Sequence, residues 1–135
     1  MKFIALFLFI ISGLRADPVA DLSRVAYFAV GGVGYGDQMS AGEKDFRTIY
    51  SQKDNLEQFI RLYGIGNNAA QMYAMIAFHK LAPDVYLHIK NNYKDRKIQI
   101  PTEVGCLAGS DNLEILIQKL EAGDYDRLFE IQKKK

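Results

Sequence analysis

Cys106 is the single thiol of the chain, and His79 and His88 are its two imidazoles. Nucleophilic or metal chemistry would have to be assembled from these three residues and from carboxylates. A thiol enzyme needs a base or a positive neighbour to hold the sulfur as thiolate. Cys106 stands between Gly105 and Leu107, inside the apolar run 104–108, with no Lys, Arg or His close by in sequence. The expectation is a buried, inert thiol, because free cysteine behaves as a small hydrophobe. A catalytic Cys106 would require His79 or His88 to fold into reach as its base. The histidines have no Cys, Asp or Glu at zinc-ligand spacing, so they read as surface or edge residues and no metal is expected. Glu43 with Asp45, and Asp124 with Asp126, are carboxylates two positions apart, which do not share a helix face. Ser23, Ser40, Ser51 and Ser110 lack the surroundings of a nucleophile elbow. No catalytic set and no cofactor motif follows, and the residues favour a non-enzymatic protein.

The densest motif is glycine-rich: Gly31, Gly32, Gly34 and Gly36, with Val33, Tyr35 and Asp37 among them. The run VGYGD resembles the potassium-channel selectivity filter, whose backbone carbonyls replace an ion's hydration shell. Gly32 stands where the filter carries a threonine. The chain after Asp37 carries Glu43, Lys44, Asp45, Arg47, Lys53, Asp54, Glu57 and Arg61. Each Asp, Lys or Arg costs about 2.5 to 3.5 kcal/mol at the centre of a membrane helix, which excludes a pore. The dinucleotide pattern fails as well, since its third glycine would fall on Asp37. Two readings stay open. Positive φ angles or a tight packing corner would explain the glycines structurally. A ligand-facing loop would make Gly32, Gly34, Tyr35 and Asp37 binding residues.

The elements that would position these groups are mostly helical. Ser40 and Glu43 have capping-box spacing, the hydroxyl meeting the N3 amide and the carboxylate returning to the cap amide. Phe46, Ile49 and Tyr50 follow as an apolar stripe. Asp54 caps a second helix on which Leu56, Phe59, Ile60 and Tyr63 share a face, and Gly64 is placed to end it. Asn67 or Asn68 starts a third, apolar nearly all round and therefore central. Ala70, Ala74 and Ala77 would let neighbours approach closely, and Gln71 lies on a narrow polar stripe. Pro83 suits the first turn of a fourth helix, with Ala82, Tyr86, Ile89 and Tyr93 inward. Asp111 and Glu114 cap the last, with Leu113, Leu116, Ile117 and Leu120 on one side and Gly123 after it. The helices are predicted at 41–51, 54–63, 68–81, 83–92 and 112–122. Residues 19–30 fit either a helix or a strand. One or two short strands or an ordered loop are expected near 98–108.

The fold class expected is mainly α, a compact bundle of about five antiparallel helices joined by short connections. The pair over 54–81 resembles one unit of a HEAT-type helical solenoid. The order GGVG, MSAGEKDFR, AAQMYAMIAF, IPTEVGC resembles uncharacterised exported bacterial proteins over roughly residues 28–122. That resemblance implies location and no activity.

Location is also written at the start of the chain. Lys2 precedes an apolar run at 3–11, and a short polar stretch ends at Ala16. These are the three parts of a signal peptide, and the run is about half the roughly 20 residues of a membrane span. Cleavage between Ala16 and Asp17 would leave one domain, 17–135, without stable membrane insertion. It would also remove Lys2 and Arg15, leaving 15 basic residues against 16 acidic. Such a balance gives no basic field to recruit nucleic acid. A lone cysteine rules out an intramolecular disulfide, so packing must stabilise the fold. The leading expectation is an exported, periplasmic or secreted module that binds another protein or an envelope component. The rivals are a small thiol enzyme using Cys106 and a small-ligand carrier with an aromatic pocket, given eight Tyr and eight Phe. Mass spectrometry of the exported protein should find its N-terminus at Asp17. A soluble pool retaining Met1 would contradict cleavage.

Overall fold

The computed structural model describes residues 17–34, 38–94 and 96–130. The signal-peptide segment 1–16, with Ala16, lies outside the described residues. Those described form a mainly helical protein with two small antiparallel sheets. In order they are α1 (Pro18–Ser23), β1 (Gly32–Val33), β2 (Gln38–Met39), α2 (Ala41–Tyr50), α3 (Asn55–Ile65), α4 (Asn68–Leu81), α5 (Pro83–Tyr93), β3 (Gln99–Val104), β4 (Leu107–Asn112), α6 (Leu113–Glu121) and a 3-10 turn (Asp126–Phe129).

The stretch that fitted both periods divides between them. Asp17 caps α1, its Oδ1 accepting from the amides of Val19 and Ala20, and Pro18 opens the helix. Val19 and Leu22 go into the core. The chain then extends, and Phe28 bridges to Thr102 of β3 in parallel, its amide donating to Pro101 O at 2.8 Å. Pro101 therefore does not break β3, since its carbonyl still accepts.

Helix α4 is the centre, as its all-round apolar sequence predicted: residues 72–78 are all buried. Asn67 caps it by accepting from Ala70 N at 2.9 Å. Aromatic rings of other elements converge around it. Phe46 and Phe59 meet at 5.0 Å between ring centroids, and Phe28 and Tyr73 at 4.8 Å. Offset or tilted contacts of this kind add to the area they bury.

Four local expectations are corrected. Glu43 does not complete a capping box. Ser40 Oγ accepts from Glu43 N at 3.1 Å, but the carboxylate turns to Gly31 N instead. Asp54 makes no side-chain cap bond, because its carboxylate accepts from Gln58 Nε2 at 2.9 Å. Gly64 does not end α3, which runs on to Ile65 and stops at an extended Gly66. A Cβ on Gly66 would stand 2.7 Å from both Ala70 Cβ and Leu62 O, so closeness to α4 demands glycine there. The cap of α6 is Asn112 rather than Asp111, its Oδ1 accepting from Glu114 N.

Residues 98–108 belong to a full hairpin, with Gln99 opposite Asn112 and Val104 opposite Leu107. A two-residue connection fits a tight turn, and Gly105 takes the left-handed φ of +57° that it needs. The face assignment of α4 generates a direct test. Ala74 is fully buried, whereas Gln71 is half-buried and bonds Tyr63 O at 3.1 Å. Ala74→Asp should cost several kcal/mol through an unpaired buried charge, and Gln71→Asp much less. Equal melting temperatures would overturn the assignment.

Candidate functional site

The glycine segment rests on a buried polar cluster. Gly31 has φ +113° and Gly34 φ +68°, which accounts for glycine at both. Gly32 lies in β1 opposite Met39. Tyr35 and Asp37, the other two binding candidates, lie outside the described residues. Two of the amides here have partners within the fold. Gly31 N donates to Glu43 Oε1 at 3.1 Å and Gly34 N to Gly105 O at 2.8 Å. Gly32 O accepts in turn from Gly105 N at 3.2 Å. The ends of the loop are thereby fixed to α2 on one side and to the hairpin turn on the other.

Glu43 is fully buried and faces two guanidinium groups. Arg47 Nε lies 3.4 Å from Oε2, and Arg127 Nε 3.4 Å from Oε1. Glu43 Oε2 and Arg47 Nε have only each other, at ion-pair rather than hydrogen-bond geometry. The remaining Arg47 nitrogens donate to the carbonyls of Arg127 and Glu130, each at 2.6 Å. Beside this group, the Tyr73 hydroxyl donates to Ala29 O at 2.7 Å and accepts from Ala29 N at 3.0 Å. Ser40 Oγ donates to the same carbonyl at 3.2 Å. A Cβ at Gly42 would come within 2.6 Å of the Tyr73 oxygen, so this glycine makes room for the hydroxyl. The cluster shapes the base of the loop and offers no solvent-facing nucleophile.

Cys106 is exposed, which corrects the expectation of a buried thiol. The apolar run around it had suggested burial, but the two-residue turn carries it to the hairpin tip, beyond the reach of the core. Its neighbours Val104 and Leu107 are 73% and 78% exposed, far more than a core strand would allow. Neither histidine is hydrogen-bonded to Cys106. His79 packs edge-on against Tyr86 at 4.8 Å, and His88 Nε2 lies 3.4 Å from Asn92 Nδ2. Both are exposed. Among the described residues, no group of three or more His, Cys, Asp or Glu could hold a metal, and no helix is long and apolar enough to cross a membrane.

Two open clefts lie between helices. One of about 490 Å³ lies between α1 and α2, with Asp21, Tyr27 and Asp45 at its edge. Burial, and secondly the charge of Asp21, raise the Asp45 carboxyl above its ordinary range. Another, of about 310 Å³, lies between the end of α5 and the start of α6. Sequence reasoning missed the buried cluster and this second cleft. The Glu43–Arg47 spacing of four was visible as a helical ion pair, but Arg127 is remote in sequence and nothing local joins it to them. No family model matches the chain, nor does any curated protein or solved structure.

Burial pushes the Tyr73 hydroxyl from 10.0 up to about 12, with the Ala29 backbone bond acting against the rise. The unfolded chain therefore ionises first as pH rises. Its contribution is fully present below pH 10 and is lost as pH climbs towards about 12. Denaturant titrations across that interval should show stability falling, and Tyr73→Phe should remove part of the slope. An unchanged slope in the variant would place the loss elsewhere.

Proposed function

We propose that this chain is an exported, non-enzymatic binding module, acting in the periplasm or outside the cell, whose contact surface is the β3–β4 hairpin. Its partner is a protein or envelope component that presents an extended segment, which adds alongside β4. One observation carries the reading: β4 has no strand partner beyond β3 among the described residues, and 107–110 are all exposed. Natural edge strands are normally protected by charges, bulges or a covering element. The hairpin has no charged residue between Glu103 and Asp111, and its tip carries the exposed pair Val104 and Leu107. Strand addition supplies affinity through main-chain bonds and specificity through alternate side chains. The exposed Cys106 thiol at the tip would further allow exchange with a disulfide of the partner, one partner sulfur joining Cys106 and the other leaving as a thiol.

The same reading includes three finer points. Export rests on the composition of 1–16. Kinship with uncharacterised exported bacterial proteins rests on the four segments quoted above. The helices are read as an antiparallel bundle with α3 and α4 as a HEAT-like pair, which the two-residue link Gly66–Asn67 supports.

The test uses the mature chain with a photocrosslinker at Ser110. Capture of one partner should be reduced about tenfold or more by Leu107→Lys, which places a charge on the edge. Cys106 should react with iodoacetamide as fast in the native state as in denaturant, apart from the difference in encounter. Capture indifferent to Leu107→Lys would sink the hairpin reading.

A further inference from the structure

The cleft between α5 and α6 is built unlike the hairpin and is independent of it. Leu113 and Ile117, both buried, form its apolar floor. Tyr93 supplies an aromatic wall, and its ring is held because its hydroxyl lies 2.7 Å from that of Tyr63. The Arg96 guanidinium lies over this ring, 5.8 Å from its centre. Lys90, Lys94 and Arg96 all reach the cleft, with Glu114 facing them from α6.

These charges are not equally available. Lys90 is paired with Glu121, a carboxylate that also accepts from the Tyr86 hydroxyl at 2.9 Å and is held below its usual range chiefly by Lys90. Among the described residues, neither Lys94 nor Arg96 has a carboxylate within ion-pair distance. The opening amides of α6 are occupied. Leu113 N donates to Ile98 O at 2.8 Å and Glu114 N to the Asn112 side chain at 3.1 Å. Recognition of an anion therefore falls to the Lys94 and Arg96 side chains.

We propose that this cleft binds a small organic monoanion with one planar apolar part. A guanidinium fork and an ammonium suit a carboxylate or phosphate ester. The floor and the Tyr93 ring suit a flat, apolar body. Glu114 accepts from a donor on the ligand and repels a second negative charge, which disfavours polyanions. A volume of about 310 Å³ limits the ligand to a single ring system, since ligand pockets run from about 300 to 1,000 Å³.

The experiment is a heteronuclear NMR titration of the mature chain. Its probes are indole-3-acetate, methyl phenyl phosphate (a monoanionic phosphodiester), neutral indole and inorganic phosphate. At least one organic anion should give saturable shifts confined to 90–94, 96–98 and 113–117, and whichever binds more tightly identifies the head group as carboxylate or phosphate. Lys94→Glu with Arg96→Glu should weaken that binding about tenfold or more, with the melting temperature kept because both side chains are exposed. Three results would each overturn the proposal: no saturation by either anion below about 10 mM, equal binding of indole or phosphate alone, or affinity unchanged in the double variant.

Discussion

Everything around the glycine segment depends on neutralising one buried negative charge. Glu43 is shut off from water, and a carboxylate in that position costs several kcal/mol unless it is paired. Its two arginines come from different parts of the chain, Arg47 one helical turn away and Arg127 from the final turn. The carboxylate also receives the Gly31 amide. One side chain thus fixes the start of the loop, the register of α2 and the docking of the C-terminal turn. Arg47 completes the arrangement by donating to two carbonyls of that turn. Removing Glu43 would leave the largely buried Arg47 without its countercharge, and breaking a buried pair in this way costs about 3 to 5 kcal/mol. Replacing the whole group by apolar residues could be nearly neutral. The cluster is better understood as specifying a single arrangement than as a reserve of stability.

The helices were legible in the sequence because each carries its own local signals. An apolar face, a cap residue and a stop lie within a few positions of one another, so α2, α4, α5 and α6 appear close to where the spacing puts them. Caps were less legible: Asp54 has the right chemistry but bonds Gln58 within its own helix, and Asp111 is held in β4, which leaves Asn112 to accept from Glu114 N. Cys106 shows a different limit. An apolar run reads as buried whether it lies in a core or at an exposed hairpin tip, and only the position of the turn separates the two cases. The α5–α6 cleft was invisible because its residues become neighbours only when two helix ends converge.

The two small sheets are more closely linked than their size suggests. Phe28 bonds the middle of β3, and Gly32 and Gly34 bond the hairpin turn at Gly105. The segment from Phe28 to Gly34 therefore runs beside β3 and protects its second edge. Among the described residues β4 has no such cover. The hairpin thus has one face of its backbone committed to the fold and the other left available, an asymmetry that follows from hydrogen-bond geometry.

The distance in sequence between Glu43 and Arg127 has a temporal meaning. A chain emerging from its N-terminus reaches Glu43 and Arg47 before Arg127 exists, so the carboxylate meets its helical partner first and gains the second guanidinium later. Helices α2 to α4 can form early because their contacts are local, and the turn that carries Arg127 docks onto them afterwards. The docking of that turn is therefore the step that brings the second guanidinium to Glu43.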